Sequence, residues 1–416
     1  MKPFALSIFI HFFVCNLFGQ VLLKPDRVFD GEKMHTDWVV LVEDSLITYA
    51  GPTSGMKKIK INEEVVLSGK TLMPGMIEGH SHLLLYPYNQ TSWNDQVLKE
   101  SESYRVARAT IHARKTLLAG ITTTRDLGSE GAGYADVGLK RAIDKGLIPG
   151  PRMLVAGPAL VATGTYGPKG FSTEIDIHKG AEEADGDDLY EATRNQIGRG
   201  ADFIKVYADY RWGPNDESLP AFTQEELEII VKVARLSGRY VVAHANSAEA
   251  MKMAVLAGVE TIEHGSGGNR EVFELMKEKG VAYCPTLAAG ESISEYKGWV
   301  KGKEEKPKRV KQSITAYQLA LKIGVKILAG GDVGVFEHGD NVKEFLLMDD
   351  YGMSAQQVLQ CITSGNADIM HLGNNLGRIQ ANFLADLIVV EGNPAEDLKT
   401  LKKVEKVMKN GIWYID

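Results

Sequence analysis

Cysteine is scarce in this chain of 416 residues: there are three, Cys15, Cys284 and Cys361. Disulfides therefore do not hold the fold together, and Cys284 and Cys361, far apart in sequence, read as two free buried thiols. No block of basic residues is present and the formal net charge is -7, which argues against nucleic acid as a partner. Past residue 20 no apolar run is long enough to span a bilayer, so stable membrane insertion is not expected. What remains is ordinary globular composition, 44% apolar and 24% charged. The length suits one large α/β barrel with an accessory domain, or two average domains.

The first twenty residues differ from the rest. Lys2 precedes the apolar run Phe4 to Val14, and Cys15-Asn16-Leu17-Phe18-Gly19-Gln20 follows. A charged start, a short apolar core and a small residue read as a secretory signal, residues 1–19, cut after Gly19. The core is too short for a spanning anchor. A lipid on Cys15 is the alternative, disfavoured by the bulky Phe12-Phe13-Val14 before it. The expected location is outside the cytoplasm, periplasmic or extracellular.

Residues 20–72 alternate valine and isoleucine with polar residues, and Asp-Gly, Ala-Gly-Pro and Ser-Gly-Lys punctuate them. The last forty residues, "LGRIQANFLADLIVVEGNP" and "VEKVMKNGIWYID", have the same character. One small β-sandwich domain built from both chain ends, 20–72 plus 373–416, is expected. Between them, over 73–372, strand candidates alternate with helical patterns: "MIEGH", "ITTTRDL", "RMLVAGP", "FIKVY", "YVVAHA", "TIEHG", "VAYCPT" and "VKILAGGD". Eight β/α units indicate a (β/α)8 TIM barrel, with a doubly wound open sheet as the runner-up.

In such a barrel the chemistry sits where strands end. In "MIEGHSHLL", His80 and His82 stand two apart, and a strand turns both to one face. Lys205 lies in "ADFIKVYAD", His244 ends "YVVAHA", His264 ends "TIEHG" and Asp332 ends "ILAGGD". Any one of the histidines alone would read as a satisfied polar residue. A lysine inside an apolar strand is costlier, because burial strongly disfavours an ammonium. Imidazole and carboxylate together suit zinc and similar divalent ions. Six such groups are too many for one tetrahedral ion and fit two. A cationic Lys205 would repel both ions, whereas a carbamate formed from its amine and CO2 carries a negative charge and two oxygens, and can bridge them.

The order H-x-H, Lys, His, His, Asp on eight β/α units, preceded by Pro74-Gly75 and flanked by a split β-domain, resembles the amidohydrolase superfamily in its binuclear, carbamylated-lysine form. The nearest branch is the imidazolonepropionase-like and Xaa-Pro-dipeptidase-like group. "PGMIEGHSHL", "GITTTRDLG", "GADFIKVYAD", "AGVETIEHG", "ILAGGD" and "ADLIVVEGNP" carry the resemblance over nearly all of the chain after the signal. It implies that His80, His82 and Asp332 bind the more buried ion, Lys205 (as N6-carboxylysine) bridges, and His244 and His264 bind the more exposed ion. It further implies a hydroxide held between the ions as nucleophile and Asp332 as general base, then acid. The implied reaction is hydrolysis of a C–N bond in an amide, a dipeptide or a cyclic amide. A mononuclear deaminase-type hydrolase and a metal-bearing, non-catalytic binding protein are the competing readings. The partner is a small-molecule amide or peptide; a homo-oligomer is allowed but not specified.

The chain departs from the family pattern at Glu78, where Asp is usual, at Tyr166, where the loop after the third strand commonly has His, and at Asn246, where related dipeptidases carry Tyr. The last two positions face substrate. Candidate substrate contacts are therefore Tyr166, as a phenol donor, then Tyr207, Tyr210, Arg211 and Trp212 on the loop after the lysine strand, and His338 after Asp332. Arg211 could hold a carboxylate bidentately. His112 and Cys284 read as structural, and the charge run 301–311 reads as a solvated face.

Overall fold

An Asn-Gly pair near the C-terminus shows how the two chain ends meet. Asn410 and Gly411 both have positive φ (50° and 74°), the pairing that a tight I′-type turn requires. This turn joins Val404–Lys409 to Ile412–Ile415. A Cβ on Gly411 would lie 1.7 Å from Asp44 O, so the C-terminal hairpin packs directly on an N-terminal turn. The computed structural model of the chain describes residues 19–57, 60–172 and 174–415. The expected signal up to Phe18, with Cys15, lies outside the described residues.

The two ends share an eight-stranded sheet. Val21–Phe29 pairs antiparallel with Trp38–Glu43 and parallel with Glu63–Pro74. On the other side of Glu63–Pro74 comes Leu387–Glu391, antiparallel, with Leu387 opposite Pro74 and Val389 opposite Leu72. The pleat turns alternate residues to one face, so Leu23, Val40, Leu72, Leu387, Val389 and Met408 form one buried cluster drawn from both termini.

Between the ends, the strands that alternate with helices pair in parallel, and one hairpin, Asp209–Arg211 with Ser218–Pro220, is antiparallel. Met76–Ser81, Ile121–Asp126 and Arg152–Val155 form one sheet. Leu160–Val161, Ile204–Tyr207, Val241–Ala245, Thr261–His264 and Ala282–Cys284 lie in order in another. Helices follow the strands. Gln224–Leu236 opens with a Thr223/Glu226 capping box and buries Leu227, Ile230, Val231 and Ala234, one stripe of the 3.6-residue period.

One expected strand takes a different form. "VKILAGGD" is not a regular strand; it makes isolated parallel bridges, Ile327 to Tyr283 and Val333 to Ser81. The cause is local. Gly330 and Gly331 interrupt it, and Asp332 has φ 62°, outside the extended range. The segment is still hydrogen-bonded on both sides: Leu328 N donates to Tyr283 O (2.9 Å) and Gly79 N donates to Ala329 O (2.8 Å).

Leu387 is fully buried on the strand that ties the C-terminal end to Glu63–Pro74. Leu387→Ala is expected to destabilise the protein by about 2–5 kcal/mol through lost burial and a residual cavity. Equilibrium denaturation measures this; a shift below ~0.5 kcal/mol would show that the shared sheet contributes little.

Candidate metal centre

The C-terminal ends of the parallel strands bring the six predicted side chains together. His80 and His82, from Met76–Ser81 and the residue after it, have their Nε2 atoms 3.6 and 3.3 Å from Asp332 Oδ1. These three can hold a cation as a set. The His264 ring lies 5.1 Å from that of His80 and 4.5 Å from that of His244. Lys205, 1% exposed on the neighbouring strand, acts electrostatically on His80, His244 and His264. Asp332 and His264 both adopt left-handed backbone (φ 62° and 71°). Non-glycine residues held there carry strain of about 1–3 kcal/mol each, which is common where side chains are aimed at a site.

Each imidazole is anchored through one nitrogen, and this decides what the other can do. His80 Nδ1–H donates to Glu263 Oε2 (2.9 Å) and His82 Nδ1–H donates to Gly128 O (2.9 Å). His264 Nδ1 meets Thr286 Oγ1 at 2.8 Å. All three therefore turn Nε2 inward, the arrangement found for histidine ligands oriented by a second partner. His244 is reversed: Nε2 lies 3.0 Å from Asn246 Nδ2, and Nδ1 is buried with no hydrogen-bond partner among the described residues. Rotating the Asn246 amide by 180° presents Oδ1 to His244 Nε2–H and Nδ2 to Ser266 Oγ, leaving the Nδ1 lone pair free for a cation. An orphaned buried nitrogen beside three inward Nε2 atoms and a carboxylate is what a metal-binding donor set requires.

The electrostatics agree. Burial pushes the Lys205 amine below its ordinary range, against the pull of Glu263 and Asp332. Glu263 cannot neutralise it, because its oxygens are taken by Arg125 Nη2 (2.7 Å) and His80. Burial, with the neighbouring cations, brings His264 down to about 3. His82 is the exception: burial opposes its charge, but the Asp332 contact outweighs this and raises it to about 9. In the same pair, Asp332 is held well below the usual carboxylate range: burial would raise it, and His80 and His82 outweigh that.

Sequence reasoning missed the layer behind these groups. Arg125 is fully buried and donates to Gly79 O (2.8 Å), Thr261 Oγ1 (3.2 Å) and Glu263, so it joins three strands and backs His80. The available signal was a charged residue inside each of two apolar strands, "ITTTRDL" and "TIEHG". Glu78 stays out of the centre. It accepts from Gly331 N (2.8 Å), His80 N (3.1 Å) and Asn341 Nδ2 (2.9 Å), bracing the Asp332 loop, and burial raises its carboxyl to about 7.

The predicted substrate contacts separate into two groups. The rings of Tyr166, Tyr207 and Tyr210 pack against one another, and Tyr207 stacks on His244 at 4.5 Å. Tyr166 OH donates to Glu130 Oε2 (2.8 Å), which also accepts from Trp93 Nε1 (2.8 Å), so the phenol proton is already committed. Arg211 lies over the Tyr210 ring at 5.7 Å. Trp212 is 50% exposed, with its indole N–H bonded to Leu219 O (3.0 Å) across its own hairpin. His338 does not join them. It is 3% exposed, bonded to Leu85 O (2.9 Å) and stacked on His112 at 4.0 Å. Cys284 and Cys361 are free and buried, as expected.

Arg125→Met would strand the Glu263 carboxylate. Removing one partner of a buried pair is expected to destabilise by about 3–5 kcal/mol, and loosening His80 is expected to weaken metal affinity about 10–100-fold. Denaturation and competitive chelator titration measure the two effects; wild-type metal affinity would show that Arg125 does not support the centre.

Comparison with known proteins gives the same picture. A model described as the amidohydrolase family matches residues 71–413. Ochratoxinase of Aspergillus niger is 31% identical over 421 residues, 92% of this chain and 83% of that protein. A solved Xaa-Pro dipeptidase with methionine bound in its active site has a TM-score of 0.85 and 30% identity, over 95% of this chain and all (100%) of that one. The structure of A. niger ochratoxinase has a TM-score of 0.80 and 26% identity, over 95% and 96% of the two chains. With a metal-binding donor set assembled at the strand ends and a family match spanning most of its length, the chain belongs to the amidohydrolase family.

Proposed function

We propose that this protein is a binuclear metal-dependent hydrolase of amide C–N bonds, with His80, His82 and Asp332 on one ion, His244 and His264 on the other, and a carbamylated Lys205 between them. The observation that carries this reading is the convergence of four imidazoles, each with one anchored nitrogen and one free, around a buried lysine that has no ion-pair partner among the described residues. Carbamate formation needs a neutral amine, and burial favours that form of Lys205. Zinc suits the nitrogen and oxygen donors. Two bound divalent ions supply an acidified water and a Lewis acid for the scissile carbonyl.

The side chains do the rest. Asp332, held ionised beside His80 and His82, takes the proton of the attacking water and returns it to the departing nitrogen. The ring cluster of Tyr166, Tyr207 and Tyr210 walls the cleft and excludes water. Arg211 meets an anionic end of the substrate. The Xaa-Pro dipeptidase and ochratoxinase similarities support small amides and dipeptides as the first substrates to test. The two parallel sheets and the 327–333 bridges support a closed (β/α)8 barrel over 73–372, with a β-domain of 20–72 plus 373–416. The N-terminal segment supports export.

Elemental analysis of the protein is expected to give two divalent ions per chain, and Xaa-Pro and Xaa-Arg/Lys dipeptides, cyclic imides and lactams form the panel, assayed with and without chelator. Asp332→Asn is expected to lower kcat by about 10²–10⁴-fold with an unchanged circular dichroism spectrum. A single ion per chain would favour the mononuclear deaminase-type reading, and retained turnover in Asp332→Asn would contradict the mechanism. Protein loaded with metal in 13C-bicarbonate is expected to show a carbamate carbon resonance that Lys205→Met lacks; its absence in the wild type would remove the bridge.

A further inference from the structure

Glu130 is a carboxylate at the edge of the cleft to which the hydrolytic chemistry gives no role. It is 4% exposed and has no ion-pair partner among the described residues. Arg105, buried beside it, does not neutralise it. That guanidinium donates to main-chain carbonyls instead: Leu84 O (3.2 Å), Glu130 O (2.7 Å) and Ser129 O (3.0 Å). The Glu130 backbone is left-handed (φ 49°), a conformation that strains a non-glycine residue. A buried charge without a counter-charge is costly as well. Strain and an unpaired charge at one residue, next to a candidate centre, point to a ligand that supplies the missing charge.

Three neutral donors hold the carboxylate in place. Trp93 Nε1 and the Tyr166 hydroxyl both donate to Oε2 (2.8 Å each), whereas Oε1 has the Tyr207 hydroxyl at 3.3 Å. Oε1 is the less engaged oxygen, and it lies on the side of the centre. A Cβ on Gly128 would sit 3.5 Å from Glu130 Oε1 and 3.8 Å from His82 Cε1, so the carboxylate and the edge of the His82 ring border the same point. Gly128 is also the residue whose carbonyl anchors His82. From the other side, the Tyr207 ring stacks on His244 at 4.5 Å. Oε1 therefore stands between a ligand proposed for one ion and a ring packed on a ligand proposed for the other. The Tyr166 proton points at the carboxylate, which leaves the phenol oxygen as an acceptor. This corner offers negative charge and lone pairs.

An ammonium matches that chemistry. In a dipeptide the α-ammonium is one carbon away from the scissile carbonyl, so it comes to lie beside the ligands of the two ions. There it meets the repulsion of both, and a nearby carboxylate offsets it. We infer that Glu130 binds the free α-ammonium of the substrate, so that the preferred substrates are dipeptides with an unblocked amino end rather than N-acylated ones. This rests on the hydrolase reading above and narrows it. Glu130 is a substrate-binding residue and takes no part in the proton transfers assigned to Asp332.

The test uses the metal-loaded full chain. Each dipeptide of the panel is compared with its N-formyl form. The wild type is expected to prefer the free amine by about tenfold or more in kcat/KM, the scale of a hydrogen bond to a charged group. That preference is expected to fade above about pH 8, where a terminal amine loses its proton. Glu130→Gln, close in size, is expected to lose the preference, mainly through a higher KM for the free amine, and to lose its pH dependence. A merely structural carboxylate would affect both forms alike. Independently of turnover, L-methionine and N-formyl-L-methionine are titrated calorimetrically. The free amine is expected to bind the wild type about tenfold more tightly, and Glu130→Gln is expected to bind the two alike. Equal binding of the two by the wild type, or a preference that Glu130→Gln keeps, overturns the assignment. If dipeptides and their N-formyl forms are cut equally well, the hydrolase reading stands and the ammonium site fails. If the free amine binds in a Glu130-dependent way but nothing in the panel is cut, the hydrolase reading fails and the ammonium site stands.

Discussion

A lysine amine buried among four imidazoles is the constraint around which this molecule is organised. An ammonium there would face desolvation and the repulsion of bound cations, and Glu263 is already shared between Arg125 and His80. The site therefore favours Lys205 without its positive charge, and the proposed carbamate goes further by reversing its sign. Everything nearby follows from holding that arrangement still. Arg125 spans three strands to fix Glu263, Glu263 fixes His80, and Gly128 O and Thr286 fix His82 and His264.

The backbone contributes as much as the side chains. The segment carrying Asp332 gives up regular strand geometry, and with it some ladder hydrogen bonding, yet keeps contacts to both flanking strands. Left-handed turns at His264, Thr286 and Asp332 gather at the same rim. Glu78 offsets part of that irregularity by accepting from Gly331 and Asn341, which closes the Asp332 loop against the first strand. Its extra methylene relative to aspartate is compatible with bracing a loop from a position outside the donor set.

The candidate centre presents donors for cations, and Arg211 lies over the Tyr210 ring on the loop beyond it. Between them lies a wall of tyrosine rings whose hydroxyls converge on Glu130 (Tyr166 at 2.8 Å and Tyr207 at 3.3 Å).

The sequence by itself determined which side chains are candidates. Period 2 puts His80 and His82 on one face, and the alternation of apolar strands with amphipathic helices puts the other proposed ligands near strand ends, whatever the partners beyond them. The two ends have like β character, and their strands lie in one sheet. Tertiary structure alone decided the rest, because the deciding contacts join residues far apart in the chain. Arg125 meets Glu263 across 138 residues, so nothing local marks either as support for His80. His338 lies near Asp332 in sequence, yet its ring stacks on His112 of the helix Glu102–Leu118. Local pattern specifies which face a side chain takes; only packing specifies which charges then share it.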